Sequence, residues 1–200
     1  MKQLSSDRRE YVGCQFSELS LSYEELNELE FEDCEFRSCD FSDALLRRCL
    51  FRDCRFDNCN LSLLDLSYSR LSDVTFTNCK MVGIDWTKLE QSPLGSGSDI
   101  SCISCALDNA SFYGLELSGL TLQQCRLREV DFQQASLAGG DFKGSDFSGS
   151  LFANSNLTEA DFSGATSLTI DLRNNTLTQA RFDRYEASHM LEVLGLQLND

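Results

Sequence analysis

Apolar side chains recur every fifth residue along most of this chain. From Phe16 the steps of five fall on Leu21, Leu26, Phe31, Phe36, Phe41, Leu46, Phe51, Phe56, Leu61, Leu66, Leu71, Phe76, Met81 and Trp86. A second series, one residue out of phase, runs from Leu107 through Phe112, Leu117, Leu122, Leu127, Phe132, Leu137, Phe142, Phe147, Phe152, Leu157 and Phe162 to Leu172, Leu177 and Phe182, and misses only at Ser167. A composition that is 42% apolar does not generate such a lattice by chance, and all fourteen Phe lie on it. A period of five holds neither one face of a 3.6-residue helix nor one face of a continuous strand, so the chain must change direction every five residues.

Two positions before each centre stands a smaller residue: Cys14, Cys34, Cys39, Ala44, Cys49, Cys54, Cys59, Cys79, Cys105, Ala110, Cys125, Ala135, Ser145, Ser150, Ser155, Ala160 and Ala180 among them. Residues two apart on an extended segment point the same way, so each such pair faces inward and the other three residues face out and form a corner. Stepping by twenty places like over like: Phe16, Phe36, Phe56 and Phe76; Leu117, Leu137, Leu157 and Leu177; Cys39, Cys59 and Cys79. Twenty residues per turn means four sides, and roughly eight turns at about 4.8 Å between stacked backbones give a rod roughly 37 Å long.

Units such as Cys34-Glu35-Phe36-Arg37-Ser38, Cys39-Asp40-Phe41-Ser42-Asp43 and Ser145-Asp146-Phe147-Ser148-Gly149 resemble the pentapeptide-repeat family. The resemblance implies an all-β fold, a right-handed quadrilateral parallel β-helix. It covers residues 14–182, behind an N-terminal cap at 1–13.

Between Trp86 and Leu107 lie 21 residues, four units plus one, and the only Pro of the chain, Pro93, is there with Gly95, Ser96, Gly97 and Ser98. A projecting loop is expected over 87–101, either a plain flexible excursion or a partner contact through Lys88, Leu89, Glu90, Gln91, Pro93 and Leu94. After Phe182 the spacing turns helical, with Tyr185, Ala187, Met190, Leu191 and Leu194 on one side and Gly195 as a stop. Leu196-Gln197-Leu198 then reads as a short strand. Such a tail either caps the open end of the rod or pairs with a second copy.

The tail Phe182-Asp183-x-Tyr185-x-Ala187-Ser188-x-x-Leu191-Glu192-x-Leu194-Gly195 is similar to the C-terminal segment of the Qnr-type quinolone-resistance branch, as is the stretch with Ile170, Asp171, Asn174 and Asn175. That resemblance implies a homodimer through residues 183–200, with Tyr185, Met190, Leu191, Leu194, Leu196 and Leu198 at the interface. It also implies binding to a bacterial type II topoisomerase, DNA gyrase or topoisomerase IV, by a rod that imitates duplex DNA. The first lattice runs unbroken from Phe16 to Trp86, so the smaller N-terminal loop of that branch is absent.

Charge is lopsided: 17 Lys and Arg against 32 Asp and Glu give −15. This argues against direct binding of nucleic acid or an anionic membrane and leaves a basic protein surface as the partner. A similar length of B-DNA, with one charge per about 1.7 Å, carries roughly 22 charges. The acidic partner-binding face is expected from Glu24, Glu25, Glu28, Glu30, Glu35, Asp40, Asp65 and Asp85, strongest in the N-terminal turns, with Glu35 set over Arg55 as a cross-coil pair. The competing reading is a merely solvated face.

The remaining chemistry is sparse. Ten Cys without an N-terminal apolar leader point to a reducing, cytoplasmic setting, and no run of about 18 apolar residues supports a membrane span. Nine Cys fall on the small inward position and Cys102 on the centre lattice. Only Cys102 and Cys105 have zinc-like spacing, so buried packing is expected and no metal or cofactor. Asp141 and Asp161 should stack, but the single His189 has no nucleophile to serve and no phosphate loop is present. The expectation is a non-enzymatic binding protein without a small-molecule substrate, the alternative being a scaffold or adaptor for another basic partner.

Overall fold

The computed structural model describes residues 4, 8–90, 100–193 and 196. They form a four-sided parallel β-solenoid of about eight coils closed by one helix. Each side is a strand of two to four residues or a single bridge, paired with the residue twenty further on: Tyr11 with Phe31, Phe16 with Phe36, Leu26 with Leu46, Asp40 with Asn60. The sides are named here by their inward centres. Face I holds Tyr11, Phe31, Phe51, Leu71, Leu117, Leu137, Leu157 and Leu177. Face II holds Phe16, Phe36, Phe56, Phe76, Cys102, Leu122, Phe142, Phe162 and Phe182. Face III runs from Leu21 to Phe147 and face IV from Leu26 to Phe152. Face II is the most regular, six strands in the order Gln15–Ser17, Glu35–Arg37, Arg55–Asp57, Val74–Thr77, Ile100–Ile103 and Thr121–Gln123.

The centres fill the rod. Phe16, Phe36, Phe56 and Phe76 stack at centroid separations of 5.0, 4.6 and 5.0 Å, and on face IV Trp86, Phe112, Phe132 and Phe152 stack at 5.5, 5.2 and 5.1 Å. Each contact adds about 1 kcal/mol to the area that it buries. Stacking starts with Glu10–Val12, where Tyr11 lies 5.2 Å from Phe31, so the coil pattern reaches further toward the N-terminus than residue 14.

Direction resets through left-handed backbone. In most coils, Lys88 in a 3-10 turn being an exception, the second residue after a centre, where it is not Gly, has φ between 50° and 62°, as at Glu18, Asp33, Arg48, Tyr68 and Gln134. This is the conformation required at the third position of a type II turn, and in many coils the centre carbonyl accepts from the N–H three residues on, Ala44 to Phe41 at 3.1 Å for example.

The small inward position is more than small. The Cys39 N–H donates to Cys59 Sγ, Cys59 N–H to Cys79 Sγ and Cys79 N–H to Cys105 Sγ, each at 3.4 Å, while each thiol donates to a carbonyl of the coil before, Cys59 to Phe36 O at 3.4 Å. Serine does the same: Cys125 N–H donates to Ser145 Oγ at 2.8 Å, and that hydroxyl donates to Leu122 O at 2.7 Å. Asn175 takes the place in the last coils, accepting from Ser155 N–H at 2.9 Å and donating to Phe152 O at 3.1 Å. All ten Cys are buried free thiols.

The departure after Trp86 is narrower than 87–101. Trp86–Lys88 form a 3-10 turn on the coil, and Glu90 N–H donates to Ser69 O at 3.0 Å as any coil residue would. The chain rejoins at Ile100, opposite Val74, an offset of 26 in place of 20. This coil is thus six residues longer than the others, and Lys88, Leu89 and Glu90, expected in the loop, belong to the solenoid; Gln91, Pro93 and Leu94 lie outside the described residues. At Ser167 the lattice fails visibly: Ser167 turns out at φ 60°, and Leu168 and Ile170 fill the interior until Thr176 pairs with Asn156.

The helix Arg184–Val193 closes the C-terminal end. Met190, expected at a dimer interface, is 2% exposed against the chain's own core, so it is a cap residue. Leu191 is half-buried, Tyr185 and Leu196 are exposed, and Leu194 and Leu198 lie outside the described residues. Among the described residues no helix is long and apolar enough to cross a membrane.

Candidate partner-binding surface

The eight acids expected to make one face do not share one. Glu25, Asp65 and Asp85 are on face IV with Glu28 at its corner, Glu30 is on face I, Glu35 on face II and Asp40 on face III. Glu24 is exposed at the inward position of the first coil on face IV. The period of five distributes consecutive units around the rod, so acids gathered along the sequence are dispersed in space. Glu35 does sit opposite Arg55, but its carboxylate lies 2.6 Å from Arg37 instead, because alternate residues of one strand project on the same side.

The aspartates just before a centre serve the coil. Asp40 Oδ1 accepts from the Ser42 N–H at 3.0 Å and its hydroxyl at 2.7 Å, Asp161 from the Ser163 N–H at 3.0 Å and hydroxyl at 2.6 Å, and Asp65, Asp85 and Asp146 repeat this with Ser67, Thr87 and Ser148. The Ser163 hydroxyl and N–H, with Lys143, hold the Asp161 carboxyl down to about 2; Ser42 and Asn60 lower that of Asp40. Asp141 and Asp161 do stack, and Lys143 Nζ bridges them at 3.0 and 3.3 Å. These half-buried carboxylates are turn acceptors before they are anything else.

The free charge is on face I. With its corner it carries Glu10, Glu30, Glu32, Asp33, Asp53, Asp73, Glu90, Glu116 and Glu159, all exposed, against Arg9, which pairs with Glu28, and Arg52 and Arg70 among the described residues. Arg52 is spent on Glu32 at 3.0 Å and Arg70 on Glu90. Glu10 stacks directly on Glu30, and Asp33, Asp53 and Asp73 occupy one corner column in successive coils. Face II is nearly balanced, Arg37, Arg55, Lys143 and Arg181 answering Glu18, Glu35, Asp57, Asp141 and Asp161. Most of the face I acids escape a search by sequence neighbourhood; stepping by twenty along outward positions, 33 to 53 to 73, finds them. Glu90, the last described residue before Ile100, is also on face I.

Among the described residues no group of His, Cys, Asp and Glu is placed to hold a metal ion. Burial pushes the Cys54 thiol up to about 12, as expected of packing thiols.

The model of the pentapeptide repeat region matches residues 29–94 and 98–182. No curated protein matches the chain. Solved structures with the same fold include trypsin-treated variants and the full-length form of QnrB1, a plasmid-mediated fluoroquinolone resistance protein. One variant has a TM-score of 0.57 at 23% identity, covering 96% of this chain and 97% of that one. A second has 0.53 at 24% identity, with 98% and 96% covered. The full-length form has 0.54 at 20% identity, with 94% and 100% covered.

Proposed function

The chain belongs to the pentapeptide-repeat family, and on that premise we propose that it is a Qnr-kind, non-catalytic protein that binds a bacterial type II topoisomerase, DNA gyrase or topoisomerase IV, in place of DNA. The observation that carries this reading is the concentration of exposed, untethered carboxylates on face I. With Glu32 and Glu90 held by Arg52 and Arg70, seven such acids over a rod of about 37 Å give one per about 5 Å of axis, the same order as the about 3.4 Å per charge of a single DNA strand. The basic groove that accepts one would accept the other.

A supercoiling assay with purified gyrase, with and without a fluoroquinolone, tests the proposal. The triple variant Asp33→Lys, Asp53→Lys, Asp73→Lys should weaken inhibition or protection by at least about tenfold, and Glu18→Lys with Asp57→Lys on face II should change it little. Absence of a complex at micromolar protein ends the idea. A homodimer through the outer side of the terminal helix, with exposed Tyr185 and Leu196 and half-buried Leu191, is part of the same reading; light scattering that returned a monomer at tens of micromolar removes it.

A further inference from the structure

Face IV carries an open cavity of about 400 Å³ lined by Asn27, Arg47, Arg48, Ser67 and Tyr68. Arg47 is on the flat of the face, and Arg48, at φ 52°, is on the corner that follows, so two consecutive arginines line one hollow. The acids around it are already engaged. Glu25 accepts from Asn27 Nδ2 at 3.2 Å and is 3.9 Å from Arg47, Glu28 is paired with Arg9, and Asp65 holds Ser67 and, at 3.1 Å, Lys88. Among the described residues Arg48 has no ion-pair partner. Tyr68, 66% exposed, stands on the same corner one coil on and adds a phenol donor and an aromatic wall.

We propose that this hollow binds a phosphoryl group. Guanidinium forks are suited to planar, multiple hydrogen bonding with oxyanions, and the phenol offers one donor more. A phosphate monoester has three terminal oxygens and can engage both forks and the phenol together; a carboxylate, with two oxygens, leaves one of them idle. The lining holds two cations and no acid, but Glu25 lies beside Arg47 and the chain has a net charge of −15, so binding is weak, about millimolar, and depends on these donors, the long-range field being repulsive. It is independent of the topoisomerase reading.

The test is an amide chemical-shift titration of the full chain with inorganic phosphate at constant ionic strength, with acetate as the competing chemistry. Saturable shifts confined to residues 27, 47, 48, 67 and 68 are expected, at least about tenfold weaker with acetate. They should disappear in Arg48→Asn, a change that keeps the left-handed corner because Asn enters it readily, and persist in Arg55→Gln on face II. Non-saturating shifts, shifts unchanged in Arg48→Asn, or equal response to acetate overturn the site.

Discussion

The Asp161 carboxylate, fixed by Ser163 and Lys143, links fold to pH. Its folded pKa of about 2 lies below the about 3.9 of an unfolded Asp, so its stabilisation is present above about pH 4 and is lost as pH falls toward about 2. Urea titrations across that window should show falling stability, and Asp161→Asn, which keeps an acceptor oxygen but cannot ionise, should flatten the slope. The cysteines make a second residue-scale point. Sequence spacing reads them correctly as inward and small but not as hydrogen-bonding, because that role needs the carbonyl 23 residues earlier and the N–H 20 residues earlier to be in place. Cys59→Ser should therefore be close to neutral by chemical denaturation, as Ser69 and Ser145 already work in this way, whereas Cys59→Ala orphans the Cys39 N–H and costs about 1–3 kcal/mol. Among the described residues Trp86 Nε1 is the buried side-chain atom without a partner, so Trp86→Phe should be tolerated and Trp86→Ala should cost about 3–5 kcal/mol.

At the scale of one coil, the period follows from the apolar residue at every fifth position, and the number of sides and the inward columns from the step of twenty that aligns Phe16, Phe36, Phe56 and Phe76. The turns do not, since Glu, Tyr, Leu and Arg all adopt the left-handed corner without a glycine to announce it. The same dispersal hid the acidic face: a unit of five moves the next carboxylate a quarter-turn around the rod, and only the step of twenty returns it. Boundaries were blurred where the lattice breaks, because Lys88 to Glu90 carry loop-like composition yet keep coil hydrogen bonds. Gly140 shows how tight the interior is: a Cβ there would lie 2.5 Å from Phe142 Cζ and 3.0 Å from Leu137 O. Gly140→Ala should lower stability by about 1–3 kcal/mol in a denaturant melt, since the ring must leave its stack.

Over the whole molecule each coil touches only its neighbours, so the ends can open while the middle stays closed. Charge is organised along the rod, and the proposed function rests on a face; stability is read from a column. The buried thiols join the two scales, because they are spaced as Cys14, Cys34, Cys39, Cys49, Cys54, Cys59, Cys79, Cys102, Cys105 and Cys125, with none beyond. A thiol reagent can reach each sulfur only when its coil comes apart. Mass spectrometry of timed labelling would thus convert the chain into a set of clocks that tick from the N-terminal end inward, Cys14 first. The coils after Cys125 keep no time at all.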